Sequence, residues 1–422
     1  MYNITELFIE CMYERNVDRT INLILHGHKL ERNNRNRILS TDVELICNHL
    51  RNKSNIVALQ LCYNSIGDEG ATKLAEFLKD CRSIKYLDLR MNGIGAEGVK
   101  SFLDVAEYLT IKSLNLAGNK IGKQGGIYIS ELIKVNEELQ HIDLAETDQT
   151  STSIAYLLSA INEKSTLKNF NLSRVVPHPG KEFDVDNFID LLSRVLSMNS
   201  TLCELHLQKI HLTCHQMDQL CDGLRWMRSL EMLDLSSNLI GDEGSKYLSE
   251  YLIKKPPLKA LNLSHNRIAN RGADSLSRSL LYSDVKYLDL SFNQIKDGGI
   301  QFLLFSIPKY ENKRLKLLFL RGNEIKNQET LAVLQTLIES KIINSETCDL
   351  MVYQAPGDQT LSLAHNQTVD IFREEYYSVS KEYDNFKQRS IREKNARKHM
   401  HFVSSWPMPL SIIPEFGTPF LD

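Results

Sequence analysis

The chain repeats a short alternation of leucines with polar residues, followed each time by a longer helical rhythm. Leu59-Gln60-Leu61-Cys62-Tyr63-Asn64-Ser65-Ile66 has the form L-x-L-x-x-N-x-I, and L-x-L returns at Leu87, Leu114, Leu233, Leu261, Leu288 and Leu318. Weaker copies begin at Leu23, Ile142, Phe170 and Leu205. Seven of the ten steps between these eleven starts are 27 or 28 residues, so the period reflects a structural unit. Within a copy, the alternation predicts a short strand with its leucines on one side and its polar residue on the other.

An Asn then stands at 64, 92, 119, 238, 266, 293 and 323, where the strand gives way to a turn. Its amide both donates and accepts, so it suits backbone groups left unpaired inside a stack. Thr147, Val175 and Ile210 take its place in three central units, and His28 in the first. Gly-Asp-Glu-Gly follows at 67–70 and 241–244, which makes Asp68 and Asp242 expected N-caps of the helices they open. Ala71, Leu74, Ala75 and Leu78 stand at i, i+3, i+4 and i+7, as do Ile300, Leu303, Leu304 and Ile307, which predicts one apolar helix face per unit. No single unit buries both its strand and that face, but stacked units do. Strands lie about 4.8 Å apart and packed helices about 10 Å, so the stack bends with its strands inside. The fold class is α/β, a curved solenoid with parallel strands on the concave face and helices on the convex face.

These units resemble the long, helix-containing leucine-rich repeats of the ribonuclease-inhibitor-like class, a horseshoe fold that includes the Ran GTPase-activating protein and the repeat regions of NOD-like receptors. Among intracellular members the chain looks most like the leucine-rich repeat-containing protein 34 group. The likeness covers roughly residues 20 to 340 and implies a shared scaffold rather than a shared chemistry. Residues 1–22 read as an N-terminal capping helix that covers the first unit with Ile4, Leu7, Phe8 and Cys11. Repeats fill 23–340, with an inserted loop near 175–183. A C-terminal cap at 341–371 contains a distorted strand near Thr360–Asn366, and 372–422 reads as a charged helix with a Pro/aromatic tail.

Composition narrows the function. In 422 residues, 50 Lys+Arg oppose 53 Asp+Glu for a net charge of -3, which argues against a surface built to coat nucleic acid or anionic membrane. No apolar run reaches the roughly 20 residues that span a bilayer, and the first residues lack the basic-then-apolar pattern of an export signal. The expectation is a cytoplasmic or nuclear protein, not secreted, with eight reduced cysteines. H-E-x-x-H, G-x-S-x-G and C-x-x-C are absent from the sequence. His211, Cys214, His215 and Cys221 are zinc-type ligands, but Cys214 and Cys221 suit the buried helix face. The chain reads as no enzyme, with no cofactor, metal or small-molecule substrate.

On the outward strand positions Asp88, Asn115, Asp143, Asn171, His206, Asp234, Asn262 and Asp289 form a row that reads either as a polar ladder typical of such repeats or as a mildly acidic recognition stripe. Beside them Arg90, Met91, Glu146, Arg174, Lys209, His265, Phe292, Phe319 and Arg321 vary irregularly, as specificity residues do on a regular scaffold. Trp406, Phe416 and Phe420 in the proline-containing tail either fold back on the solenoid or dock into another protein as an extended peptide. A folded protein is thus the expected partner, with RNA on the basic arm 387–399 as second choice and no membrane. The alternative, from the resemblance alone, is a GTPase-activating protein similar to the Ran activator, although no motif here matches that activity residue by residue.

Overall fold

The computed structural model describes residues 4–16, 18–32, 36–163, 166–175, 183–307, 317–340, 342–343, 348–354 and 360–365. The inserted loop from 176 to 182, the arm 387–399, and Trp406, Phe416 and Phe420 lie outside the described residues.

Eleven parallel strands, from Ile21–Ile24 to Leu317–Phe319, pair in strict chain order within one twelve-stranded sheet. They are the eleven units counted in the sequence. Register holds from unit to unit, with Leu59 opposite Leu87, Leu87 opposite Leu114, Leu233 opposite Leu261 and Leu288 opposite Leu318. Because side chains alternate along a strand, a fixed register keeps every strand leucine on the same side. Leu87, Leu89, Leu114, Leu116, Leu261 and Leu263 are all fully buried. The helices behind supply Leu74, Val99, Phe102, Leu248 and Leu276 to the same core, so strand and helix faces close over one another as the pattern requires.

The Asn positions join successive units. Asn119 donates to the carbonyls of Leu89 and Leu116 at 2.9 and 2.8 Å, and its Oδ1 accepts from the amides of Asn92 and Ile94 at 2.9 and 3.0 Å. Asn293 repeats the pattern one period from Asn266. Each amide therefore satisfies backbone groups of its own unit and of the one before. Where the residue is Thr147, its hydroxyl donates to Leu144 and accepts from Gln149, both of its own unit, and Val175 and Ile210 are simply buried.

Three expectations are corrected. Asp68 and Asp242 do not cap their own helices, Gly67–Asp80 and Gly241–Ile253, which have no side-chain cap. Asp68 Oδ1 instead accepts from the amides of Gly95 and Gly98 at 2.6 and 3.0 Å, and Asp242 Oδ1 from Ala269 and Gly272 at 2.7 and 2.9 Å. Each caps the helix of the following unit, so the motif is a joint between repeats. A Cβ at Gly98 would stand 2.6 Å from Asp68 Oδ1, which is why the receiving helix carries glycine there.

At the N-terminus the helix is only Glu6–Cys11, and Tyr13–Arg15 then adds an antiparallel strand to the sheet edge. Ile4 and Ile9 are buried there, while Leu7 is 74% exposed and Cys11 exposed; Leu7 falls on the solvent side because the short helix ends before it can wrap the core. At the other end a hairpin of Leu350–Gln354 and Leu361–His365 replaces the single distorted strand. Asp349 precedes it, fully buried, and accepts from the amides of Leu320 and Arg321 at 2.8 and 3.1 Å. In the preceding unit the equivalent amides are Leu290, which donates to the Phe319 carbonyl of the next strand, and Ser291, which donates to Asp289 Oδ1 of its own turn. Asp349 thus replaces both the next strand's carbonyl and the turn acceptor that Phe319 cannot offer.

Urea denaturation checks these joints. Asn119→Ala strands several buried backbone groups and lowers unfolding free energy by about 3 kcal/mol. Asp242→Ala costs about 1–2 kcal/mol through the lost cap. Effects no larger than those of an exposed helix substitution would contradict the cross-unit role.

Candidate functional site on the concave wall

One backbone feature organises the concave wall. The residue before the Asn slot has a left-handed conformation in ten successive units: Tyr63, Met91, Gly118, Glu146, Arg174, Lys209, Ser237, His265, Phe292 and Gly322, with φ between 52 and 73°. Only two are glycine, so eight side chains sit where L residues are disfavoured by about 1–2 kcal/mol each. The geometry persists because the amide of each, as far as Phe292, donates to the next unit: Tyr63 to Arg90, Met91 to Ala117, Arg174 to Gln208 and Phe292 to Arg321, at 2.7–2.9 Å. These side chains lean toward the following unit. Any Cβ at Gly118 would collide with Met91, and any at Gly322 with Phe292.

The result is a ridge of stacked, varied side chains. His28 and Tyr63 rings lie 4.5 Å apart, and His265 stacks on Phe292 at 4.5 Å and 21°. The guanidinium of Arg90 lies over Tyr63 at 5.2 Å, and that of Arg321 over Phe292 at 5.3 Å. Arg174 forms an ion pair with Glu146 of the preceding unit. Met91 and Phe292 are 42% and 40% exposed, and Lys209 and His265 are also exposed. In the N-terminal half, Arg90, Met91, Asp143, Glu146 and Arg174 converge with Tyr63 and Gln208 around one cavity of about 110 Å³. Sequence reading had put those first five on the wall and missed Tyr63 and Gln208, although Tyr63 occupies the same slot as Met91.

The polar row behaves differently from the outward stripe expected of it. Asp88, Asp234 and Asp289 are at most 1% exposed, His206 is 5% exposed, and Phe319 is fully buried with its ring 5.3 Å from Tyr287. The reason is a repeated turn: Oδ1 of Asp88, Asn115, Asp143, Asn171, Asp234, Asn262 and Asp289 accepts from the amide two residues on, at 2.9–3.0 Å. Asp and Asn interchange there because both offer that acceptor. Asn115 and Asn262 also donate to the neighbouring carboxylates of Asp143 and Asp234 at 3.3 and 3.2 Å, which offsets repulsion along the row. Burial pushes the Asp88 and Asp143 carboxyls above the usual range, with Arg90 opposing at Asp88. Burial also opposes the charge on Arg90, but Asp88, Cys62 and Tyr63 together outweigh it and raise the guanidinium.

His206 anchors the middle of the wall. Its Nε2 lies 2.5 Å from Glu204 Oε1 and its Nδ1 3.7 Å from Asp234 Oδ2. Gln208 donates to the same Asp234 Oδ2 at 2.5 Å, and Asn169 to the other Glu204 oxygen, Oε2, at 2.6 Å. Desolvation opposes protonation, but hydrogen bonds and charges from Asp234 and Glu204 prevail and push His206 up to about 10. Asp234 is drawn down: burial opposes this, and His206 with the Ser236 amide and Gln208 overrides it. The cluster is an imidazolium clamped by two carboxylates across adjacent strands. Of the zinc-type residues, Cys221 is buried in the core while His211, Cys214 and His215 are exposed, which corrects the expectation that Cys214 faces inward. Among the described residues no three His, Cys, Asp or Glu side chains are grouped to hold a metal, and no helix is long and apolar enough to cross a membrane.

His206→Leu leaves two buried carboxylates unpaired and is expected to cost about 3–5 kcal/mol in chemical denaturation. The stability His206 contributes is complete below its unfolded value near 6.5 and is lost as pH rises through about 10. The gap between parent and variant therefore narrows from pH 7 to 10; a constant gap would mean that His206 is neutral in the fold.

Comparison with known proteins follows the same units. The family model described as Leucine Rich repeat matches residues 52–75, 80–103, 109–130, 227–249, 254–277 and 283–304. Its gap between 130 and 227 contains the three units in which Thr147, Val175 and Ile210 replace Asn. Ribonuclease inhibitor of Mus musculus is 29% identical over 64% of this chain and 59% of its own length, and that of Sus scrofa 27% over 65% and 60%. The NACHT, LRR and PYD domains-containing protein 5 of Homo sapiens is 28% identical over 68% of this chain and 24% of its own. The chain thus spans about 60% of the length of the ribonuclease inhibitors it matches. With register, strand count and matched repeats in agreement, the chain is an α/β leucine-rich-repeat solenoid similar to the ribonuclease inhibitors.

Proposed function

We propose that this chain is a non-enzymatic interaction scaffold that grips a folded protein partner on its concave wall, inside the cell in cytoplasm or nucleus. The observation that carries the reading is the left-handed ridge. Its backbone is held by bonds between units, so side chains there are free to differ, and they do: Tyr63, Met91, Glu146, Arg174, Lys209, His265 and Phe292. A surface fixed in advance loses little conformational entropy on association, and its aromatic, Met and Arg residues are those that dominate interfaces. The relatives include ribonuclease inhibitors, whose name describes action on another protein. Arg90, Asp143 and Arg321 support the ridge from beside it; Asp88, His206, Asp234, Asp289 and Phe319 serve the wall from within. The tail from 372, with Trp406, Phe416 and Phe420, is the second proposed contact, an extended aromatic segment whose prolines disfavour a helix.

Proximity labelling in cells tests this. The full chain is compared with a Met91→Glu, Arg174→Glu, Phe292→Glu variant and with one lacking 372–422. Ridge substitutions should reduce labelling of the specific partner set about tenfold, the effect of roughly 1.4 kcal/mol, with circular dichroism and melting unchanged. An unaltered set in the ridge variant overturns the concave reading, and an unaltered set in the truncated chain overturns the role of the tail.

A further inference from the structure

Single exposed apolar residues on a protein surface need no explanation, but here four fall in line. Met198, Trp226, Ile253 and Tyr282 are 65%, 69%, 45% and 51% exposed. They lie at or within two residues of the C-terminal ends of helices Val185–Met198, Cys214–Leu224, Gly241–Ile253 and Asn270–Leu280. Those helices pack successively against one another, so their ends form one rim of the solenoid. The tryptophan is presented rigidly. Its amide donates to the Gly223 carbonyl at 3.2 Å, and the adjoining Met227 is 1% exposed with its amide on Leu224 at 3.1 Å.

Charge adds a second, independent feature. Arg194 and Arg225 on this rim are neutralised by Asp190 and Asp222 at 2.7 and 2.8 Å. Arg228, Lys254 and Lys255 are exposed and have no ion pair among the described residues. They flank Trp226 and Ile253, and Pro256 and Pro257 stiffen the loop that carries the two lysines. An exposed tryptophan among unpaired cations complements an apolar partner segment of negative charge.

Spacing selects the form of that segment. Helices packed side by side stand about 8–10 Å apart, which sets the step along the rim. An α-helix advances about 10.5 Å in seven residues, two turns that return to the same face. An extended strand covers that distance in about three residues, and its third side chain points the other way. We propose that this rim docks an acidic amphipathic helix of a partner protein, with one apolar residue in every seven set against Met198, Trp226, Ile253 and Tyr282. Glutamates or aspartates on the flanks of that helix face Arg228, Lys254 and Lys255. The surface is separate from the concave wall and does not rest on the function proposed for it.

The probe is a synthetic helix of about 24 residues with Leu at each seventh position and Glu, Gln and Ala between. Trp406→Phe in the full chain leaves Trp226 as the sole tryptophan, so its emission reports binding. The expected result is a saturable blue shift whose Kd weakens about tenfold between roughly 50 and 300 mM salt. With a labelled probe, Trp226→Ala and the pair Lys254→Glu, Lys255→Glu each weaken binding about tenfold or more, whereas Arg174→Glu on the concave wall leaves it unchanged. No binding overturns the proposal. So does equal binding by a version with Lys for Glu or with the leucines moved to every fifth position, or stronger competition by a single-stranded oligouridine than by the unlabelled helix.

Discussion

The structure depends on one hydrogen bond made repeatedly: the amide of a left-handed residue at the end of each strand donates to the backbone of the next unit. A β-strand must turn sharply there to enter the helical return, and the unpaired amide would otherwise be buried without a partner at a cost of about 1–3 kcal/mol. Left-handed backbone at a non-glycine residue costs a similar amount. The bond therefore decides the balance, and because it runs between units it ties the local conformation to stacking. A single unit has no reason to adopt this turn, which is why the module has no independent fold.

The Asn slot tightens the same joint, and its exceptions show how the joint tolerates change. Asn119 and Asn293 each answer four or more backbone groups across two units. Val175 and Ile210 answer none with their side chains but are fully buried. Removing a donor together with its surroundings' need for it, while adding apolar burial, is far less costly than leaving partners orphaned. Around these units side chains take over part of the linkage: Arg174 reaches Glu146, Gln208 reaches Asp234, and His206 binds Glu204 and Asp234. The middle of the array replaces uniform amide links with ionic ones. The family model passes over the same stretch.

The repeat was legible because leucine spacing reports a period directly, and the eleven starts became eleven parallel strands in register. What escaped reading was direction between units. Asp68 sits where an N-cap belongs, and sequence cannot tell that its carboxylate serves Gly95 and Gly98 of the following repeat, about one period away. Likewise Asp88, Asp234 and Asp289 occupy outward strand positions, yet their oxygens turn back to amides two residues on. The interchange of Asp with Asn in that column was the available clue: the two share an acceptor but not a charge, so the column keeps a hydrogen bond and not an electrostatic surface. Leu7 failed for another reason, since helical spacing predicts a face but not how soon a short helix ends.

A scaffold held by main-chain bonds between units separates two demands that compete in most folds. Side chains that define the backbone here are few and repetitive: the strand leucines, the Asn slot, the Asx turn and the cross-unit caps. Apart from the Arg174–Glu146 pair, the side chains of the ridge and of the helix ends contribute little to those joints, so they can change without disturbing register. Large exposed residues such as Met91, Phe292 and Trp226 are found at these unconstrained positions, where solvent contact is not required by the stack. A surface residue that the fold does not need, held rigidly by neighbours that it does, is where recognition is most readily built. On this solenoid that condition is met on two faces, the concave ridge and the rim of helix ends.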